Sequence, residues 1–153
     1  MKFGFLSKIF EGALSIEKTY NECDKALGAL RAYNEKQEKE NATISAADKA
    51  ELDDTVNIAI ENATRIIEKE GERNWPGVFR EMHKNLANIY LELEEYDKVR
   101  EKCEHLQDYG EVGKIDAEEV LKNLYERENG DSDSTSDESQ PNESKQNVAV
   151  DDS

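Results

Sequence analysis

The sequence predicts an all-α protein: a small bundle of about five helices, followed by a disordered acidic tail. Apolar residues recur at intervals of three and four along most of the first 128 positions, which is the spacing of one face of a helix. No segment shows the two-residue alternation or the β-branched clusters that predict a strand. From position 129 onward the composition changes to Ser, Asp, Glu and Asn, with almost nothing apolar to bury. We therefore expect a helical domain over 1–128 and a disordered Ser/Asp-rich tail over 129–153.

The first predicted helix, about 5–37, has the most regular apolar seam of the chain. Strict alternation of three- and four-residue steps is the spacing of a helix that packs along a shallow supercoil. Further apolar residues beside the seam, such as Phe10 and Tyr33, widen the stripe and favour a helix inside a bundle. Gly12 predicts a break after a short leading segment, 1–14. The seam consists of Leu6, Ile9, Ala13, Ile16, Tyr20, Cys23, Leu27, Leu30 and Asn34.

A second helix is predicted from Ser45 to about Glu70. Ser45 followed three residues later by Asp48 is typical of a capped helix start, where an acid is also favoured by the helix dipole. Gly71 is a stop signal because glycine readily ends a helix in a left-handed conformation. The predicted buried face comprises Leu52, Val56, Ala59 or Ile60, Ala63, and Ile66 or Ile67.

The remaining helices are punctuated by Pro76, Glu94–Glu95 and two glycines. Pro76 predicts the first residue of the third helix, and the two glutamates mark the break before the fourth. Gly110 and Gly113 predict a loop, so the last helix is expected over about 116–127. The predicted inward residues are Trp75, Phe79, Met82, Leu86, Ile89, Tyr90 and Leu93, then Tyr96, Val99, Cys103 and Leu106, then Val120, Leu121, Leu124 and Tyr125.

The charge is strongly acidic. The formal net charge is −16, from 36 acids and 20 bases; 29 acids and 19 bases fall in 1–128, leaving −10 there and −6 in the tail. Direct binding to DNA or RNA is not expected, because that affinity depends on Lys and Arg displacing counterions. High solubility, a basic protein partner and mimicry of nucleic acid all remain compatible with this charge. Cys23 and Cys103, far apart and without a signal-peptide core before them, are typical of reduced thiols in a cytoplasmic protein.

No pattern predicts catalysis, a metal site or a cofactor. The chain has two histidines, His83 and His105, and neither is placed beside a candidate nucleophile. Cys103 and His105 lie two residues apart and so point to different faces of a helix. The Glu-x-x-His spacing of di-iron bundles is not present in the sequence. We therefore expect a protein that is not an enzyme.

The stretch "NLANIYLELEEYDKVREKCEHL", 85–106, combines two helical patterns hinged at "LEEYD". Its spacing and composition resemble the tetratricopeptide repeat (TPR) family, whose 34-residue unit is a helix-turn-helix with large, small and aromatic residues at fixed offsets. The resemblance covers about 80–113: Leu86 and Ala87 fit the large-small pair, and Tyr90 and Tyr96 fit the two aromatic positions. Val99 stands where Ala is usual and Cys103 where an aromatic residue is usual. The resemblance implies that the inward residues hold the hairpin together, namely Leu86, Ala87, Tyr96, Val99 and Cys103.

Several positions depart from the family pattern. Glu94–Glu95 replace the usual Gly-Asp, and Glu111 stands in the place of the usual proline. One period forward, Val120, Leu121 and Leu124 give a partial unit; one period back, around 52–56, the pattern fails. Since stacked repeats normally need about three units, we expect one repeat-like hairpin within a small bundle.

The resemblance implies a non-catalytic protein–protein interaction module or adaptor. Units of this family present the exposed residues of their first helix to a ligand, which here implies Lys84, Asn85, Asn88, Tyr90 and Glu92. This surface has few bases, and Lys84 is the main one nearby. A basic or apolar protein or peptide therefore suits it better than an acidic one.

Two other classes of function are compatible with the sequence. An acidic inhibitor could occupy the nucleic-acid site of a basic partner, which would make its binding strongly salt-dependent. Alternatively, a homo-oligomer could form along the seam from Leu6 to Leu30. The oligomeric state is left open by the sequence.

The N-terminal segment, 1–14, is amphipathic and carries Lys2 and Lys8. One interpretation is a weak peripheral contact with a membrane surface or a partner's groove. The other, which we favour, is that its apolar residues cap the bundle's core. Those residues are Phe3, Phe5, Leu6, Ile9 and Phe10.

Overall fold

The computed structural model confirms the all-α prediction. It describes residues 2–40 and 43–130, with side chains described for 15–39 and 43–130, and these residues form five helices and no strand. The predicted tail from 131 onward lies outside the described residues, as do the side chains of the N-terminal segment. The helices are α1 (Lys2–Glu40), α2 (Ala46–Ile67), α3 (Pro76–Glu92), α4 (Tyr96–Leu106) and α5 (Gly110–Glu128).

The chain divides into two compact units, Met1–Leu121 and Lys122–Ser153. The described part of the second unit is the end of α5 and the turn after it. There the side-chain amide of Asn129 donates to the Tyr125 carbonyl at 2.9 Å. Tyr125 is 60% exposed, so the prediction that it faces inward is wrong.

In the first unit α3 is the central helix. It packs against α1, α2 and α4, while α1 also packs along α2. The buried residues of α3 follow the predicted inward stripe, because Phe79, Met82, Leu86 and Ile89 are at most 2% exposed. Burying an apolar side chain of this size stabilises a fold by about 1.5–3 kcal/mol, so this helix anchors the core.

Helix starts follow the predicted capping chemistry. The Ser45 hydroxyl accepts a hydrogen bond from the Asp48 amide at 3.1 Å, which satisfies one of the free amides of the first turn of α2. Pro76 is the first residue of α3, as predicted, where its lack of an N–H has no cost. α2 ends at Ile67, and Gly71 takes a left-handed φ of 101° in the turn that follows.

The last helix begins earlier than predicted. α5 starts at Gly110, six residues before the expected position near Asp116. Gly110 has a φ of 72° and turns the chain out of α4, while Gly113 lies inside the first turns of α5 against the Leu106 carbonyl. The two glycines therefore permit a sharp corner and a close helix approach, which the sequence pattern did not distinguish from a loop.

The turn between α3 and α4 is a Schellman motif that has a glutamate where glycine is usual. The Glu95 amide donates to the Tyr90 carbonyl at 2.9 Å, and the Glu94 amide to the Leu91 carbonyl at 3.1 Å. This geometry places Glu94 at a φ of 62°, the left-handed region that side chains disfavour.

Replacing Glu94 by glycine is therefore expected to raise the free energy of unfolding by about 1 kcal/mol, since it relieves the strain. Urea denaturation followed by circular dichroism measures the effect. A matched control is Glu104→Gly in the exposed face of α4, which should lower the free energy of unfolding by about 1 kcal/mol. Equal losses in the two variants would contradict the assignment of strain to Glu94.

Both cysteines are free and buried. Burial raises the pKa of the Cys23 thiol to about 12, with the nearby charges of Asp24 and Glu22 adding to the effect. Burial alone raises the pKa of Cys103 to about 11. The side chains behave as small apolar core residues, as their positions on apolar helical faces predict.

Candidate functional site

The predicted contact residues lie on two sides of α3. Asn85, Asn88 and Glu92 share one stripe with Glu81, because they follow at intervals of four, three and four residues. Lys84 lies beside this stripe, whereas Tyr90 belongs to the buried side of the helix. The neighbouring helices then determine which of these side chains remain available.

Glu92 closes one end of the stripe and is held by α1. The Asn34 side-chain amide donates to the Glu92 carboxylate at 2.9 Å and to its backbone carbonyl at 3.0 Å. Arg31 Nε donates to the other carboxylate oxygen at 3.4 Å, and Glu92 is only 7% exposed. The prediction that Glu92 points outward is wrong, because α1 supplies the donors that allow an acid to be buried here.

α1 also reaches the other end of the stripe, at Glu81. The pKa of the Tyr20 hydroxyl is raised to about 12, first by burial and then by the charge and hydrogen bond of Glu81. Tyr20 and Glu81 are therefore partners across α1 and α3. The two helices are joined by polar contacts at both ends of the stripe.

Lys84 is bound to α5. Its Nζ lies 3.2 Å from Asp116 Oδ1 and 3.4 Å from Glu119 Oε1. Arg80 donates to the second oxygen of Asp116 at 2.6 Å. Burial lowers the pKa of Lys84, but the hydrogen bond and charge of Asp116 outweigh it, so the net pKa is raised. The predicted base is thus charged and already engaged by two acids.

Tyr90 supports the hairpin. It is 9% exposed, and Lys98 Nζ of α4 lies 5.2 Å from the centre of its ring. Burial raises the pKa of its hydroxyl. Like the predicted structural residues, Tyr90 contributes to the packing of α3 against its neighbours. Of those residues, Leu86, Ala87, Val99 and Cys103 are at most 2% exposed, and Tyr96 is half-buried.

Asn85 and Asn88 are the two predicted contact residues that keep unused polar groups. Both are half-buried at the middle of the stripe, between the contacts at Glu81 and Glu92. Within the described residues, no hydrogen bond joins either side-chain amide to another protein group. Each amide offers two N–H donors and one carbonyl acceptor to an incoming ligand.

The sequence pattern missed a contact between the two histidines. The rings of His83 on α3 and His105 on α4 stack with their centroids 4.7 Å apart and an angle of 15° between their planes. His83 is 1% exposed. His83 lies four residues after Phe79 and three before Leu86, which places it on the inward face of α3. This periodicity is the sequence signal from which the burial of His83 could have been predicted.

Neither a metal centre nor a membrane span is evident in the part of the chain that the structure describes. No three His, Cys, Asp or Glu side chains there are arranged to hold a metal ion. No helix among the same residues combines the length and apolar character needed to cross a bilayer.

The chain was also compared with known proteins. No protein-family model, no curated protein and no solved structure matches it.

Proposed function

We propose that the chain is a non-catalytic protein-interaction module that binds an extended, basic peptide segment across Asn85 and Asn88. The observation that carries the proposal is the pair of half-buried side-chain amides with no hydrogen-bond partner within the described residues. Because the amide atoms of Asn85 and Asn88 are not among the fully buried unpaired polar atoms, they still reach water, and a ligand can bind them by replacing that water.

The spacing of the two amides suits a peptide backbone. Asn85 and Asn88 are three residues apart, so their Cβ atoms lie roughly 5–6 Å from each other on one helix face. Backbone N–H and C=O groups that face the same side of an extended chain recur every second residue, about 6.6 Å apart, and two flexible side-chain amides can span that distance. Two amides can therefore bind a peptide without reading its side chains.

Charge supports a basic ligand. Lys84 is neutralised by Asp116 and Glu119, and Arg31 is paired with Glu92, so the bases beside the two asparagines are compensated. The helical domain retains ten more acids than bases. This excess would attract a basic segment and speed its association.

Two further observations support an interaction module. The stretch 80–113 resembles a TPR unit, and in that family the first helix of the hairpin presents the contact residues. In the structure α3 packs on both α1 and α2, which is how a helical hairpin stacks on the one before it. The two free, buried thiols support a reducing compartment, and we place the module in the cytoplasm.

The test is affinity capture with the full chain as bait, followed by titration of the captured basic peptide segment. Asn85→Ala/Asn88→Ala is expected to weaken binding about 10- to 30-fold, since a typical hydrogen bond contributes about 1 kcal/mol and each amide loses at least one. Asn57→Ala, on the exposed face of α2, is the matched control and should bind as the wild type does. If the double variant bound the peptide with unchanged affinity, Asn85 and Asn88 would be ruled out as the contact surface.

Salt dependence separates this proposal from an acidic inhibitor. Binding through the amides should persist at high salt, with a modest loss of association rate. Binding that collapses with salt, competes with DNA and survives Asn85→Ala/Asn88→Ala would instead identify a nucleic-acid mimic.

A further inference from the structure

A cluster of titratable groups lies where α3, α4 and the α4–α5 turn meet. His83, 1% exposed, stacks on His105 at a centroid distance of 4.7 Å. The Tyr109 ring lies 5.9 Å from the His83 ring, at an angle of 42°. The proposed contact surface does not use any of these three residues.

Several polar atoms of this cluster are buried without a partner. Neither ring nitrogen of His83 makes a hydrogen bond within the described residues, and neither does the Tyr109 hydroxyl oxygen. A neutral imidazole has one donor and one acceptor, whereas a protonated one has two donors. In the folded protein the ring nitrogens of His83 already lack hydrogen-bond partners among the described residues. A proton added to the ring would likewise have no acceptor at hydrogen-bond distance.

The ionisable groups around His83 come from three elements: the turn after α2, α4 and the turn after α4. Glu70, in the turn after α2, has a carboxylate oxygen 3.6 Å from His83 Nε2, too far for a hydrogen bond, and its side chain is 42% exposed. Lys102 and His105 on α4 oppose a positive charge, and Tyr109 is an uncharged neighbour. Of these groups Glu70 favours protonation, and solvent screens its charge.

Burial, followed by the charges of Lys102 and His105, lowers the pKa of His83 from its ordinary 6.5 to about 4. The folded pKa is therefore depressed, so the closed junction binds fewer protons than an open one does. Its stability is fully present above pH 6.5 and is lost progressively as the pH falls toward 4.

We propose that the junction formed by His83, His105 and Tyr109 is a pH-sensitive element, in which uptake of a proton by His83 opens the contact between α3 and α4. Opening lets water solvate the imidazolium and the Tyr109 hydroxyl. The hairpin of α3 and α4 is then closed at neutral pH and increasingly open in a mildly acidic compartment. The contacts of α1 with α2 contain no histidine and are expected to respond less.

Amide hydrogen exchange of the full chain, corrected for intrinsic rates, measures this opening. With pKa values of 6.5 when open and about 4 when closed, the opening equilibrium should rise about 30-fold between pH 7.5 and pH 5. The rise is expected for amides of α4 and the turn after it, and not for amides 55–63 in the middle of α2.

Two variants and one direct measurement decide the matter. His83→Phe keeps a flat ring but cannot be protonated, so the rise in α4 should disappear. His105→Gln retains His83 and removes one opposing charge, so a smaller rise should remain. An equal rise in α2 and α4, or an unchanged rise in His83→Phe, would overturn the proposal.

Nuclear magnetic resonance of the wild-type His83 ring provides a readout that needs no variant. Titration of the ring near pH 6.5 in the closed protein would also overturn the proposal.

Discussion

Gly113→Ala is expected to lower the free energy of unfolding by about 3 kcal/mol. A Cβ at this position would lie 2.9 Å from the Tyr109 Cβ, 3.2 Å from the Leu106 carbonyl carbon and closer still to the Leu106 carbonyl oxygen. The obstacle is backbone at the end of α4, which cannot rotate away as a side chain could. Overpacking of this kind costs about 1–3 kcal/mol and sometimes more, so we expect the upper end of that range.

The sign of this effect makes the experiment decisive. Helix propensity alone would make alanine more stable than glycine by about 1 kcal/mol in a helix interior. Gly28→Ala is the matched control, because a Cβ added to Gly28 inside α1 would meet no atom within 4 Å, and it should gain about 0.5–1 kcal/mol. Urea denaturation of both variants measures the pair. A Gly113→Ala protein as stable as the wild type would show that α4 and α5 do not approach each other as closely as the structure indicates.

Asp116→Ala is expected to lower the free energy of unfolding by about 2–3 kcal/mol. Asp116 is 7% exposed and accepts from Arg80 at 2.6 Å and from Lys84 at 3.2 Å. Its removal leaves two cations without their main partner. Breaking a fully buried pair costs about 3–5 kcal/mol, and partial exposure of the two bases reduces that figure.

Two comparisons isolate the charge of Asp116. Asp116→Asn keeps the shape and one acceptor oxygen, so it should lose less stability than the alanine variant. Glu35→Ala breaks an exposed, solvent-screened pair with Lys39 on α1, so its stability should stay close to that of the wild type. Thermal unfolding followed by circular dichroism gives all three values. Equal losses in Asp116→Ala and Glu35→Ala would show that the Asp116 contacts contribute no more than a surface pair.

The start signals in the sequence predicted local structure well because their chemistry is local. Ser45 and Asp48 are three residues apart, and the hydrogen bond between them needs nothing from the rest of the chain. Pro76 is equally self-sufficient, since its ring fixes φ whatever packs nearby. The inward stripe of α3 was predictable for a related reason. The helical period alone places Phe79, Met82 and Leu86 on one face of the helix.

Gly110 and Gly113 show where local signals fail. A glycine permits a loop, a left-handed corner or a close helix contact, and the sequence does not say which. The choice depends on Leu106, whose carbonyl approaches Gly113 only once α4 and α5 are folded. The predicted helix start was consequently six residues late.

The candidate site shows the same limit at longer range. Periodicity correctly placed Asn85, Asn88 and Glu92 on one stripe but could not reveal that α1 supplies Asn34 and Arg31 to Glu92. Those contacts span 58 and 61 positions of the chain. No spacing rule within α3 contains that information.

The burial of Cys23 and Cys103 has a practical consequence for labelling. Electrophilic dyes react with the thiolate, and the raised pKa values of both cysteines leave very little thiolate at neutral pH. The folded protein should therefore take up a maleimide dye slowly, without any need to replace its native cysteines. A single cysteine introduced at an exposed position such as Asn57 would react much faster than the two buried cysteines and could carry a fluorophore. The movements of α2 could then be followed in otherwise unaltered protein.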